Sequence, residues 1–159
     1  MKLDLICVGR IKERFYTQAV DEYAKRLSAW CTLNIVEVKD ESTPALCSDA
    51  VTERILAAEG ERIMAKLPDQ THLIVLDIDG KSFSSPALAG YLAERMNRGD
   101  GRFSFVIGGS LGLCKKIKER ADLRLSFSAL TFPHQLMRVV LLEQIYRCFK
   151  INANEPYHK

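Results

Sequence analysis

Apolar residues recur at two different periods along this chain, and the alternation between them sets the fold class. Leu3, Leu5 and Cys7 alternate with Asp4 and Ile6 up to Val8, a strand pattern that ends at Gly9. From Glu13 to Trp30 the apolar positions are Tyr16, Ala19, Val20, Tyr23 and Leu27, which is helical spacing. Leu33 to Val38 is short and rich in β-branched residues, a second strand. Lys39 to Pro44 is polar and breaks the pattern; Val51, Ile55, Ala58 and Ile63 then carry a second amphipathic helix towards Pro68. His72 to Ile78 holds the unbroken run Leu73-Ile74-Val75-Leu76, which suits a strand buried on both faces. Asp79-Gly80 reads as a turn. Ser85 reads as an N-cap, with Pro86 at the first helical position, for a helix that reaches Asn97 and stops at Gly99-Asp100-Gly101. Phe103 to Ile107 is another buried strand, followed at once by Gly108-Gly109. A short helix from Cys114 to Arg120, a fifth strand from Leu123 to Phe127 and a long helix from His134 to about Ile151 complete the order.

Strands alternating with helices predict an α/β fold: a parallel sheet with helices on both faces, in one domain over residues 1–159. The last helix departs from the usual pattern. Leu136, Met137, Val139, Val140, Leu141, Leu142, Ile145, Tyr146 and Phe149 surround its axis rather than forming one stripe. A helix apolar on nearly every side is buried on nearly every side. In a chain of 159 residues one of those walls is expected to be a second copy, so a homodimer is predicted.

Composition narrows the function classes without choosing one. The chain is 47% hydrophobic and 27% charged, an ordinary globular profile that excludes a disordered chain, a collagen-like fibre and a coiled-coil rod. Its net charge of +3 permits nucleic-acid binding without arguing for it. The five cysteines (Cys7, Cys31, Cys47, Cys114 and Cys148) fall in neither zinc-site nor Cys-x-x-Cys spacing, and read as reduced thiols. Neither a membrane span nor a signal peptide is predicted, which places the protein in the cytoplasm.

Ligands of parallel α/β sheets bind beyond the carboxyl ends of the strands. Three loops therefore matter most: Leu76 to Ser82, Gly108 to Leu113 and Ser128 to Pro133. Gly80-Lys81-Ser82 looks like the end of a P-loop, but Val75 stands where the motif needs glycine. Asp77 and Asp79 are a weak metal pair for want of a third ligand. Gly108-Gly109-Ser110-Leu111-Gly112 is not a dinucleotide fingerprint; it is either a plain tight turn or a place where a ligand meets the backbone. Ser128-Ala129-Leu130-Thr131-Phe132-Pro133 offers hydroxyls and backbone groups with little charge, which suits an adenine or a ribose better than a triphosphate. His134 and Arg138 share one helix face and could meet phosphate there. Glu143 and Arg147 read as a structural ion pair. The tail through Tyr157 and His158 is either a frayed end or a base-stacking, phosphate-touching one.

Three segments carry a resemblance. They are Phe105 to Leu113, Leu125 to Val139, and Pro156-Tyr157-His158-Lys159, supported by Met1 to Gly9 and by Leu76-Asp77 with Gly80-Lys81. Together they make the chain similar to the ribosomal RNA large subunit methyltransferase H family, small SPOUT-class enzymes that methylate N3 of a pseudouridine in 23S rRNA. The resemblance implies a C-terminal trefoil knot that shapes a pocket for S-adenosylmethionine, released as S-adenosylhomocysteine. Carried over, the pocket residues are Leu76, Gly108, Phe127, Ser128, Ala129, Leu130, Thr131 and Phe132. It also implies a homodimer with its active site near the subunit interface, no metal, and the assembled ribosome as substrate.

The chemistry asks for an aligned donor and acceptor, removal of the N3 proton and stabilisation of the developing anion. His134, Arg138, Tyr157 and His158 are the polar candidates. Arg138 would position phosphate or base, and His158 would contact substrate or move the proton, from across the dimer. Two other readings compete. One is a thiol enzyme using Cys114 near a helix start, with His134 or His72 as base. The other is a non-catalytic ribosome- or RNA-binding homodimer with a vestigial pocket.

Overall fold

The computed structural model describes residues 1–158. Its elements follow the predicted order: β1 (Lys2–Val8), α1 (Arg14–Leu27), β2 (Thr32–Val38), α2 (Asp49–Met64), β3 (His72–Ser82), α3 (Ser85–Asn97), β4 (Arg102–Ile107), α4 (Lys115–Arg120), β5 (Leu123–Ser126) and α5 (His134–Asn152). The strands form one parallel sheet in the order β2-β1-β4-β3-β5. Leu5 is registered between Ile35 and Phe105, and Ile74 lies opposite Phe105 on the other side.

Period-two alternation gives each sheet face its own core. Leu3, Leu5, Cys7, Phe103, Phe105 and Ile107 point to the face covered by α1, α3 and α5. Ile6, Val8, Val75 and Val106 point to the face covered by α2 and α4, where Ile63 and Ile117 close over them. Helices therefore cover both faces, as the sequence predicts. Cys7, Cys31 and Cys148 are buried free thiols, and burial raises them to about 12, 11 and 12, far from thiolate chemistry. None of the described helices is long and apolar enough to cross a membrane.

Two boundaries differ from the sequence reading. The N-cap of α3 is Ser84, whose Oγ accepts from the Ala87 N–H at 3.3 Å. Ser85 is already helical and donates instead to Gln144 Oε1 of α5, at 2.8 Å. Strand β3 does not stop at Ile78. It pairs Leu76 with Leu125, leaves the ladder over Asp77 to Gly80, then resumes with Lys81 opposite the same Leu125. Asp79-Gly80 is thus a turn within a bulge rather than the end of a strand. Glycine is required there, because a Cβ at Gly80 would stand 2.6 Å from the Arg124 carbonyl oxygen. The bulge lies at the carboxyl end of the sheet and puts buried Asp77 and exposed Ile78 on the wall of the site.

Candidate active site

The loops after β3, β4 and β5 and the start of α5 enclose a cavity of about 700 Å³ at the carboxyl ends of the strands. Leu76, Gly108, Phe127, Ser128, Leu130, Thr131 and Phe132 all line it. Ala129 belongs to the same loop but is exposed and off the wall. Gly108 is where the wall could bear no side chain: a Cβ would fall 2.3 Å from the Gly112 carbonyl oxygen. The glycine loop is therefore a tight turn and a cavity wall at once, closed by the Gly112 N–H donating to Gly109 O at 3.1 Å.

The wall is apolar with its charges already paired. Asp77 accepts from Lys118 Nζ at 3.1 Å and Arg124 Nε at 2.7 Å. Burial pushes the Asp77 carboxyl up, but these two cations outweigh it and hold it below the usual value. Hydroxyls remain at Ser110, Ser128 and Thr131, although Ser128 Oγ already accepts the Leu130 N–H at 3.0 Å. Ile78, Leu130 and Phe132, apolar yet 52%, 71% and 38% exposed, stand at the rim. A half-open, mostly apolar cleft with a few hydroxyls and backbone groups fits a nucleoside-like ligand.

His134 opens α5 and is on the cavity wall. Burial, and then the Arg138 cation, lower its pKa, so its imidazole is neutral at pH 7. Arg138 itself is 1% exposed and does not present a cation to phosphate. Its Nη1 donates to Glu37 Oε1 at 2.6 Å, and its Nη2 donates to the carbonyls of Val8 and Gly9 at 3.2 and 2.7 Å. Its Nε is buried without a partner. The guanidinium is a brace that ties the start of α5 to the ends of β1 and β2. The phosphate contact expected of it is corrected accordingly: the shared helix face turned inward, where Glu37 and two carbonyls take up its donors.

Tyr157 and His158 lie elsewhere. Tyr157 donates to Glu143 Oε1 at 3.2 Å, meets Tyr146 edge-on with ring centroids 5.0 Å apart, and lies under the Arg147 guanidinium. Burial, the first cause, and the Tyr23 hydroxyl raise its phenol to about 12. His158 is exposed, with Nδ1 3.4 Å from Arg147 Nη1. Lys159 lies outside the described residues. Glu143 and Arg147 form the expected ion pair, at 2.5 Å. Arg147 is thirteen positions beyond His134, about 20 Å along the helix axis. Within one chain Tyr157 and His158 therefore do not reach the cavity.

Cys114 caps α4 without a side-chain bond, and its Sγ packs on α2, filling the place of a Cβ at Gly60. It is not on the cavity wall. Lys81 lies over the Phe83 ring, its nitrogen 4.8 Å from the centroid. Among the described residues no cluster of three or more His, Cys, Asp or Glu could hold a metal ion. Sequence reasoning missed Lys118, Arg124 and Glu37. They act through partners 41, 47 and 101 positions away, and no local pattern links such residues.

The comparisons with known proteins agree over the full length. The family model for predicted SPOUT methyltransferases matches residues 1–158. Proteins named ribosomal RNA large subunit methyltransferase H from Bifidobacterium animalis subsp. lactis (strain AD011) and Clostridium novyi (strain NT) are each 51% identical, over 100% of both chains. One of the same name from Bifidobacterium adolescentis is 52% identical over the same span. A solved structure of a probable methylase family protein from Haemophilus influenzae Rd KW20 shares the fold, with TM-score 0.52 at 13% identity. That match covers 99% of this chain and 70% of the other.

Proposed function

Because the chain belongs to the SPOUT methyltransferase family, we propose that it moves a methyl group from S-adenosylmethionine to N3 of a pseudouridine in 23S rRNA. It is an rRNA large subunit methyltransferase. The finer reading adds a homodimer of one-domain chains, knotted at the C-terminal side as the family implies, acting on assembled ribosomes in the cytoplasm. One observation carries the cofactor assignment: the glycine loop and the 127–132 loop, which bear the resemblance, wall the same apolar cavity.

Bound there, S-adenosylmethionine supplies a methyl group already activated on a sulfonium. The rest falls to the chain's own residues. Leu76 and Phe127 offer apolar surface for an adenine and exclude water. Ser128, Thr131 and the backbone of the 127–132 loop meet polar edges, and Gly108 lets the ligand approach the main chain. Transfer of the methyl carbon from sulfur to N3 would break its bond to sulfur, and the N3 proton must leave. His134, neutral at pH 7 and on the wall, is positioned to take it. Arg138 acts as a positioning residue beneath His134.

Tyr157 and His158 enter from a second copy. The outer side of α5 leaves Leu136, Val139 and Val140 only half-buried, an apolar patch open to an isologous contact that gives way further along to the Glu143–Arg147 pair and to Tyr146 under Tyr157. Two such helices packed antiparallel would set each tail near the other chain's His134 end.

Calorimetric titration of the purified protein with S-adenosylmethionine, beside Gly108→Arg, tests this reading. Saturable binding to wild type and none to the variant is expected, followed by methyl transfer to ribosomes that lack this methyl group. Wild type that neither binds at millimolar cofactor nor methylates those ribosomes would leave the non-catalytic binder.

A further inference from the structure

The connection from β1 to α1 carries a run of exposed cations beside His134. Arg10, Lys12 and Arg14 are all exposed, and among the described residues none forms an ion pair. Phe15, beside them at the first turn of α1, is 59% exposed although its ring meets Tyr16 with centroids 4.3 Å apart. Lys39, just after β2, is exposed as well, and Glu37 on that strand is taken up by Arg138.

An exposed loop of this kind would normally be loose, yet this one is fastened to the site. The Lys12 N–H donates to Gln135 Oε1 at 2.9 Å, next to His134. The Ile11 N–H donates to Glu37 Oε1 at 3.2 Å, and Arg138 holds the Gly9 carbonyl at 2.7 Å. Gly9 stands so close to His134 that a Cβ there would be 3.5 Å from Nε2. The backbone faces the protein and the charged side chains face outward. Arg138, buried and out of reach of phosphate, helps Glu37 and Gln135 hold the backbone that leads into these cations.

We propose that Arg10, Lys12, Arg14 and Phe15 form a docking rim for single-stranded RNA flanking the target base, the cations on phosphates and the ring stacked on an unpaired base. The inference rests on the RNA-methyltransferase reading above and names the surface that reading lacks. Phosphates favour exposed, unpaired cations, and an exposed aromatic among them is the usual platform for an unstacked base. An acidic protein surface would use the same cations but would leave Phe15 without a role.

The test uses the full-length protein and ribosomes lacking the methyl group. In the Arg10→Ala, Lys12→Ala, Arg14→Ala triple variant, kcat/KM for ribosomes falls, and log kcat/KM against log salt becomes shallower by about 2, as three lost single-strand phosphate contacts require. Affinity for S-adenosylmethionine stays as in wild type. The charge-preserving triple Arg10→Lys, Lys12→Arg, Arg14→Lys keeps the wild-type slope. Phe15→Ala lowers kcat/KM by about 5- to 100-fold with the slope unchanged. A photo-crosslinking phenylalanine analogue placed at position 15 joins to rRNA.

An unchanged salt slope in the alanine triple overturns the proposal. So does a parallel loss of cofactor affinity, which would make the loop a support of the pocket, and so does crosslinking to ribosomal protein alone. Failure of the underlying reading looks different, because wild type itself would then not methylate the ribosomes.

Discussion

His72 and His134 stand at opposite ends of the same sheet, and burial lowers the pKa of both. His72 begins β3 at the amino end and is 5% exposed. Its Nε2 meets the Tyr91 hydroxyl at 2.7 Å, its Nδ1 faces Asp100 and Asp122 at 3.4 and 3.7 Å, and its ring packs on Phe103. His134 begins α5 at the carboxyl end, beside a buried cation and on the wall of a cavity. A shifted pKa is therefore a mark of burial, common to both. What separates a site from a structural knot of polar groups is whether the buried group opens onto space that a ligand can fill.

The largest expected difference between the two ends lies in Arg138. Arg138→Met leaves the Val8 and Gly9 carbonyls without this donor and Glu37 with only the Ile11 N–H, and should cost about 3 kcal/mol in denaturant unfolding. Asp122→Asn at the amino end keeps an oxygen for the Leu73 N–H and should cost less than about 1 kcal/mol. Equal losses would break the claim that the carboxyl end is braced from beneath.

Next come the histidines themselves. His134→Asn should slow methyl transfer about 100-fold, at the low end of general acid–base effects, while moving stability by less than about 1 kcal/mol. His72→Asn should do the reverse, losing about 1–3 kcal/mol of stability with cofactor affinity untouched. A His134 variant that unfolds early but turns over normally would exchange the two roles.

The smallest effect is on pH. Both histidines titrate lower when folded, so between pH 7 and 5 the unfolded chain binds more protons and stability falls with pH. Glu59, whose carboxyl is raised first by burial, works the other way over part of that range. Asp4 and Asp77, held low by their cations despite burial, lose their contribution only in stronger acid. Chemical denaturation across that range should show the decline, and His72→Gln should flatten it. A flat wild-type profile would show that the two rings keep their ordinary values.

Much of this architecture is visible in the sequence, because strands and helices write their own periods locally. The run Leu73 to Leu76 reads as a strand buried on both faces, and Leu73 to Val75 are buried, with Leu76 opening onto the cavity. The cavity loops were legible for the same reason, since a strand's carboxyl end follows from the strand. Errors arose where the deciding partner was distant. Ser84 and Ser85 are equally good caps in isolation, and the choice was settled with Gln144 waiting on α5 for Ser85. His134 and Arg138 share a face by spacing, but only packing says which way that face points.

From its residues alone the chain determines its order of elements, a parallel sheet covered on both sides, and the end of the sheet where a ligand belongs. These follow from local periodicity and from a rule about strand ends. The tertiary structure decides which polar groups meet: Arg138 with Glu37, Asp77 with Lys118 and Arg124, and Tyr157 with Glu143 rather than with His134. Those encounters join residues far apart in the chain. They exist only once the sheet has set its neighbours, and no pattern within one element records them.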